Sequence, residues 1–182
     1  MAIPADDESL MEEVRGGSSE AFGILYDRHH RAVFNFLLRF LGDRRTAEDL
    51  LQEAFLRVYL HREDYRPTAA FRTWLFTIAR NLLVDHLRRG AARPESVDDV
   101  ALEQATDTSP GPLAELEGRA LEEQLQIAVS RLPAFQREVI LLSRFAGLSH
   151  EEIAQVTGAS FGSVRVALHR GLRRIRDLLG LL

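Results

Sequence analysis

The 182 residues suffice for one domain of ordinary size or two small ones, and with 46% hydrophobic residues most of the chain is expected to fold. The formal net charge of −4 argues, taken alone, against a nucleic-acid binder, and the absence of cysteine excludes disulfides, a thiol switch and a Cys-ligated zinc site. The acidic start MAIPADDESLMEEV lacks the basic and apolar regions of a signal peptide, and no apolar run approaches the ~18 residues that span a bilayer, so a cytoplasmic protein without membrane insertion is expected.

In chain order, Leu10, Met11 and Val14 give a short amphipathic helix ending at Gly16-Gly17. Ser18 or Ser19 caps the next, which runs through Leu25, Val33, Phe36 and Leu37 to Gly42. Asp43 or Thr46 opens a third, TAEDLLQEAFLRVYLHR. REDYRPTAA breaks the pattern, and a long helix follows from about Ala69 to Arg89. The stretch 91–111 is rich in Pro, Ala, Ser and acid without a sustained period and reads as a flexible linker. Helical pattern resumes near Pro112, and Pro133 suits the first turn of the helix AFQREVILLSRFAG. Ser149 and Glu152 have the spacing of a capping box, Gly158 stands where that helix would stop, and Ser160 can cap a last helix to about Leu178.

These final residues read as a helix-turn-helix. At about 100° per residue, Val164, Leu168, Gly171, Ile175 and Leu178 share one arc, while Arg165, His169, Arg173 and Arg176 cluster on another, with Arg170 beyond them. Guanidinium groups at this spacing suit phosphates and base edges, although a solvated cationic face would look the same. The local charge agrees with the first reading. Residues 160–178 hold five Arg and one Asp, whereas residues 1–20 hold six acids and one Arg, and residues 91–130 nine acids and two Arg. All 23 basic residues are Arg, whose fork binds phosphate and guanine bidentately. On the Ala69–Arg89 helix, Phe71, Leu75, Ile78 and Leu82 form the expected buried stripe. Trp74, Thr77, Asn81, Val84 and Arg88 lie on another flank, with Arg72 and Arg80 opposite. A ring with amides, hydroxyls and cations suits single-stranded nucleic acid.

Taken together, TAEDLLQEAFLRVY, FRTWLFTIARNLLVDHLRR, an acidic connector and LPAFQREVILLSRFAGLSHEEIAQVTGASFGSVRVALHRGLRRIR resemble the bacterial RNA polymerase sigma factors of the extracytoplasmic-function (ECF) group, over about residues 9–178. The resemblance implies an all-α protein of two helical domains: 1–90 like sigma region 2, the linker 91–111, and 112–182 like region 4. It implies that Asp49, Leu50, Gln52, Glu53 and Leu56 dock on the β′ clamp helices of core polymerase; a helix with Leu inward and solvated acids outward would read the same way. It implies that Arg72, Trp74, Thr77, Arg80, Asn81 and Arg88 open and read the −10 element, and that the loop from His61 to Thr68, with His61 and Tyr65, captures a flipped base. Ser160, Ser163, Arg165, Val166, His169, Arg170 and Arg173 would read the −35 duplex, with Val166 standing where many members carry a small polar residue. Further implied partners are the β flap of the polymerase, promoter DNA and an anti-sigma factor.

No HExxH, GxxxxGK[ST] or GxGxxG occurs, and the adjacent His29 and His30 point about 100° apart on a helix, so no catalytic residue, metal or cofactor is expected. The expected function is a transcription initiation factor. Its rival is a conventional helix-turn-helix regulator that binds duplex DNA without polymerase.

Overall fold

A computed structural model describes residues 5–66, 70–91 and 123–180, and among these every regular element is helical. Residues 92–111 of the expected linker, and 67–68 of the base-capture loop, lie outside the described residues. The helices are α1 (Asp7–Arg15), α2 (Ser19–Leu41), α3 (Arg44–Leu60) and α4 (Phe71–Ala91) in the first half. In the second they are α5 (residues 123–130), α6 (Ala134–Phe145), α7 (His150–Thr157) and α8 (Phe161–Leu178).

Short-range chemistry sets the ends of these helices. Asp6, Ser18, Asp43, Ser149 and Ser160 each accept a backbone N–H from the first turn that follows. Asp43 accepts from the Thr46 hydroxyl and the Thr46 and Arg45 amides, which together hold its carboxyl below the usual range. Gly42 and Gly158 end α2 and α7 in the left-handed conformation, at φ 76° and 70°. Pro133 stands immediately before α6, where its missing N–H costs nothing.

In the first half, α1, α3 and α4 pack around α2. The α3 stripe of Ala47, Leu50, Leu51, Ala54, Phe55 and Val58 is buried at i, i+3, i+4 spacing. In the second half, α6 and α7 pack against α8. The buried residues of both halves form one hydrophobic cluster, because α6 lies on α2 and α7 lies on α4. Polar contacts fasten this junction. Arg39 Nη1 donates to Gln126 Oε1 at 3.2 Å, and Gln126 Nε2 donates back to the Arg39 carbonyl at 3.0 Å. The Arg39 guanidinium also lies 4.8 Å from the Phe145 ring centroid. Arg137 of α6 stacks on Phe40 and donates to the Phe40 carbonyl, at the negative end of α2.

Candidate polymerase and nucleic-acid interfaces

The α8 face is built from its core side outward. Val164, Ala167, Gly171 and Ile175 are buried and seat the helix, while Leu168 is half-buried and Leu178 exposed. A Cβ at Gly171 would come within 2.6 Å of Ile140 Cδ1, so glycine permits the close approach of α8 to α6. With that side fixed, Arg165, Val166, His169, Arg170 and Arg173 are all exposed. Val166 is 47% exposed, an apolar spot among the cations. Ser160 and Ser163 sit at the start of the helix, where the Ser160 hydroxyl caps the Ser163 amide. Their first role is therefore structural, and both remain exposed.

A second site lies between the end of α3 and α4. Arg57, His61, Asp64, Trp74, Ile78 and Asn81 line a cavity of about 280 Å³. His61 Nδ1 is 3.0 Å from Asp64 Oδ2. Ile78, expected in the buried stripe, is half-buried and forms part of this wall. Tyr65, expected as a base contact, is 1% exposed in the free chain and lies beneath the site. Its ring packs 5.1 Å from Trp74 and 6.2 Å from Phe71, and so supports the indole from below. Burial, helped by the carboxylates of Glu8, Asp7, Glu12 and Asp6, pushes its hydroxyl up to about 12. Thr77 uses its hydroxyl on the Thr73 carbonyl, and the exposed Arg88 pairs with Asp85. Arg72 and Arg80 lie on the flank of α4 that faces the second half of the chain. Arg80 is bound to Glu138 there, and Arg72 Nη1 lies 3.5 Å from where a Gly147 Cβ would be.

The third surface is on α3. Asp49, Gln52 and Leu56 are exposed, and Glu53 is half-buried in an ion pair with Arg57 at 2.8 Å. Leu50, expected on the same surface, is 8% exposed and belongs to the core stripe. The sequence reading missed Tyr59 and Leu60, which with Leu56 make an exposed apolar run at i, i+3, i+4. Their signal was present, since all three fall outside the buried α3 periodicity.

The histidine pair serves α2 packing. His29 Nε2 is 2.6 Å from Asp7 Oδ2, and His30 Nδ1 is 2.9 Å from the Tyr26 carbonyl. Among the described residues no helix is long and apolar enough to cross a membrane.

Comparison with known proteins bears on both halves. The family model of Sigma-70 region 2 matches residues 25–93, and that of Sigma-70, region 4 matches residues 122–175. The chain is 38% identical to the RNA polymerase sigma factor CarQ of Myxococcus xanthus over 170 residues, covering 93% of this chain and 95% of the relative. It is 35% identical to the ECF RNA polymerase sigma-E factor of Escherichia coli strain K12, over 96% of this chain and 95% of that one. Among solved structures, CnrH in complex with the cytosolic domain of CnrY aligns with a TM-score of 0.71 at 27% identity, over 96% of this chain and 97% of that chain. The fold is also that of the sigma factor RpoE in complex with the anti-sigma factor NepR from Bartonella quintana, with a TM-score of 0.73 at 23% identity over 88% of this chain and 97% of that one. Matches that run through both halves do not favour a conventional regulator. The chain belongs to the ECF group of RNA polymerase sigma factors, initiation factors that direct the polymerase to promoters.

Proposed function

We propose that the three surfaces divide the work of initiation among themselves. Residues 1–90 act as the region 2-like domain, 91–111 as the connector and 112–182 as the region 4-like domain. The α3 surface of Asp49, Gln52, Glu53 and Leu56, extended by Tyr59 and Leu60, docks on the β′ clamp helices. Exposed acids beside exposed apolar groups favour a basic, partly apolar partner. The cavity walled by Trp74, Ile78, Asn81 and His61 takes one unstacked base of the −10 non-template strand. Its indole offers a stacking surface and its amide a base-edge partner. The α8 face enters the major groove of the −35 element. Arg165, Arg170 and Arg173 meet guanine edges or phosphates there, and Val166 offers an apolar contact to a thymine methyl. The region 4-like domain also meets the β flap, and an anti-sigma factor covers these surfaces when the chain is held inactive. The protein works in the cytoplasm, where the polymerase is, and acts by binding rather than by turnover.

The observation that carries this reading is the α8 face, exposed along its length on a helix seated by Gly171 and capped by Ser160. Run-off transcription with purified core polymerase over a library of promoter fragments tests it. Initiation is expected to require the protein and to fail with Trp74→Ala. Arg165→Ala or Arg170→Ala should weaken promoter binding by ~1–3 kcal/mol if the contact is bidentate to guanine. Tight binding to duplex DNA with no initiation from any fragment would overturn it.

A further inference from the structure

The two flanks of α4 stand in different states. The flank of Trp74, Ile78 and Asn81 opens into the cavity. The flank of Arg72, Thr73 and Arg80 faces the second half of the chain, where Thr73 and Arg80 meet carboxylates and Arg72 lies beside Gly147. Arg80 Nε donates to Glu138 Oε1 at 2.8 Å, with side chains only 25% and 10% exposed. Glu138 is one of two polar or charged residues buried among those described, and Thr73 is the other. The Thr73 hydroxyl donates to Glu152 Oε1 at 3.2 Å, and the other oxygen of that carboxylate accepts the Ser149 amide at 2.7 Å. The Arg80 guanidinium and the Thr73 hydroxyl donate, and the two carboxylates accept from them as successive phosphates would accept from cations and hydroxyls on one helix. The α8 face, by contrast, is exposed in this same arrangement.

We propose that Glu138 and Glu152 are internal stand-ins for DNA phosphates, holding the C-terminal half shut over the Arg72–Thr73–Arg80 flank of α4, and that a single-stranded phosphodiester backbone is the ligand that competes for this flank. The inference rests on the reading of α4 as the −10 helix. Its consequence is an asymmetry. In the free chain the duplex-reading face is available, while part of the single-strand-reading helix is occupied by the protein's own acids. An anion that displaces both carboxylates releases the two halves from each other along α4. Apparent affinity for single-stranded DNA is then reduced by the fraction of chains that are shut.

The chain lacks cysteine, so a dye pair can be placed through Glu13→Cys in α1 and Asp177→Cys in α8, both exposed. Energy transfer between the dyes reports the separation of the halves in the full-length protein without polymerase. Fluorescence anisotropy of a labelled poly-dT strand and of a labelled duplex reports binding. The test variants are Glu138→Gln and Glu152→Gln, singly and together. Gln keeps the shape of the side chain and is accepted in a capping box, so Glu152→Gln alone keeps the test open if Glu138→Gln fails to fold. Glu151→Gln, exposed on the same turn, is the charge-matched control. The expected result is lower energy transfer with at least about threefold tighter single-strand binding in the Glu138 and Glu152 variants, and duplex affinity that follows the control. Unchanged energy transfer would overturn the latch. Energy transfer that falls with no gain in single-strand binding would overturn the phosphate-mimic assignment. An equal gain from Glu151→Gln would reduce the effect to net charge and overturn it as well. The energy-transfer reading does not depend on transcription, so a failure of the sigma-factor roles proposed for α4 is seen separately, as single strands that bind no variant.

Discussion

Gly171 and Tyr65 show how single residues seat α8 and support Trp74. Gly171 costs helix propensity, roughly 1 kcal/mol against Ala, in the middle of α8. The return is the close contact with Ile140, whose Cδ1 would lie 2.6 Å from a Cβ at this position. Gly171→Ala should therefore gain less than propensity allows, because the Ile140 methyl must move. Ile140→Val removes that methyl and alone should cost about 0.5–1.5 kcal/mol. The double variant is expected to be more stable than the two single effects predict. A double-mutant cycle from urea denaturation measures the coupling, and additive effects would refute the contact as the reason for glycine. Tyr65 makes a prediction at high pH. Its folded pKa is raised from 10.0 to about 12, so the protonated ring favours the folded state. That contribution is full below pH 10 and is lost as pH rises from 10 towards 12. Thermal melts across this range should show a loss of stability that Tyr65→Phe lacks.

At the scale of an element, the capping box of α7 joins helix initiation to domain contact. Burial by itself would raise the Glu152 carboxyl. Hydrogen bonds from the Ser149 amide and the Thr73 hydroxyl outweigh it and hold the group below its ordinary value of 4.5. A lowered folded pKa gives stability that is present above 4.5 and lost as pH falls through the folded value. Melting temperature followed down from pH 6 should fall less in Glu152→Gln than in the unchanged chain. Equal slopes would mean that this carboxylate does not carry the effect. Elements of this kind were legible in the sequence because their causes are local. Asp43, Ser18, Ser149, Ser160, Gly42 and Gly158 each act within a turn of where they stand. Leu50 was legible too. Its place in the 47, 50, 51, 54, 55, 58 series puts it inside, and only resemblance to a docking helix drew it outward. Tyr65 was not legible, since a residue between α3 and α4 has no period to read and its burial depends on where Phe71 and Trp74 arrive. The α4 flanks were legible as chemistry but not as occupancy. Arg80 and Glu138 are 58 positions apart, and no local pattern pairs them.

Across the whole molecule, the shared core makes a claim about cooperativity. Residues of both halves form one buried cluster, reinforced by the Arg39–Gln126 exchange and by Arg137 on the end of α2. The free chain is expected to unfold in a single transition. The one tryptophan, Trp74, reports the first half, and far-ultraviolet circular dichroism reports all helices. Coincident curves are expected, and two separated transitions would show that the halves fold independently. The shared core also gives any opening of the molecule a calorimetric signature. Parting α2 from α6 and α4 from α7 returns apolar surface to water, which adds a positive heat-capacity term. Docking on polymerase buries surface and contributes a term of opposite sign. Where docking parts the halves, the measured heat-capacity change of holoenzyme formation should therefore be less negative than the final interface alone would give. The enthalpy of association would then drift only weakly with temperature, as a direct result of how the free chain is folded.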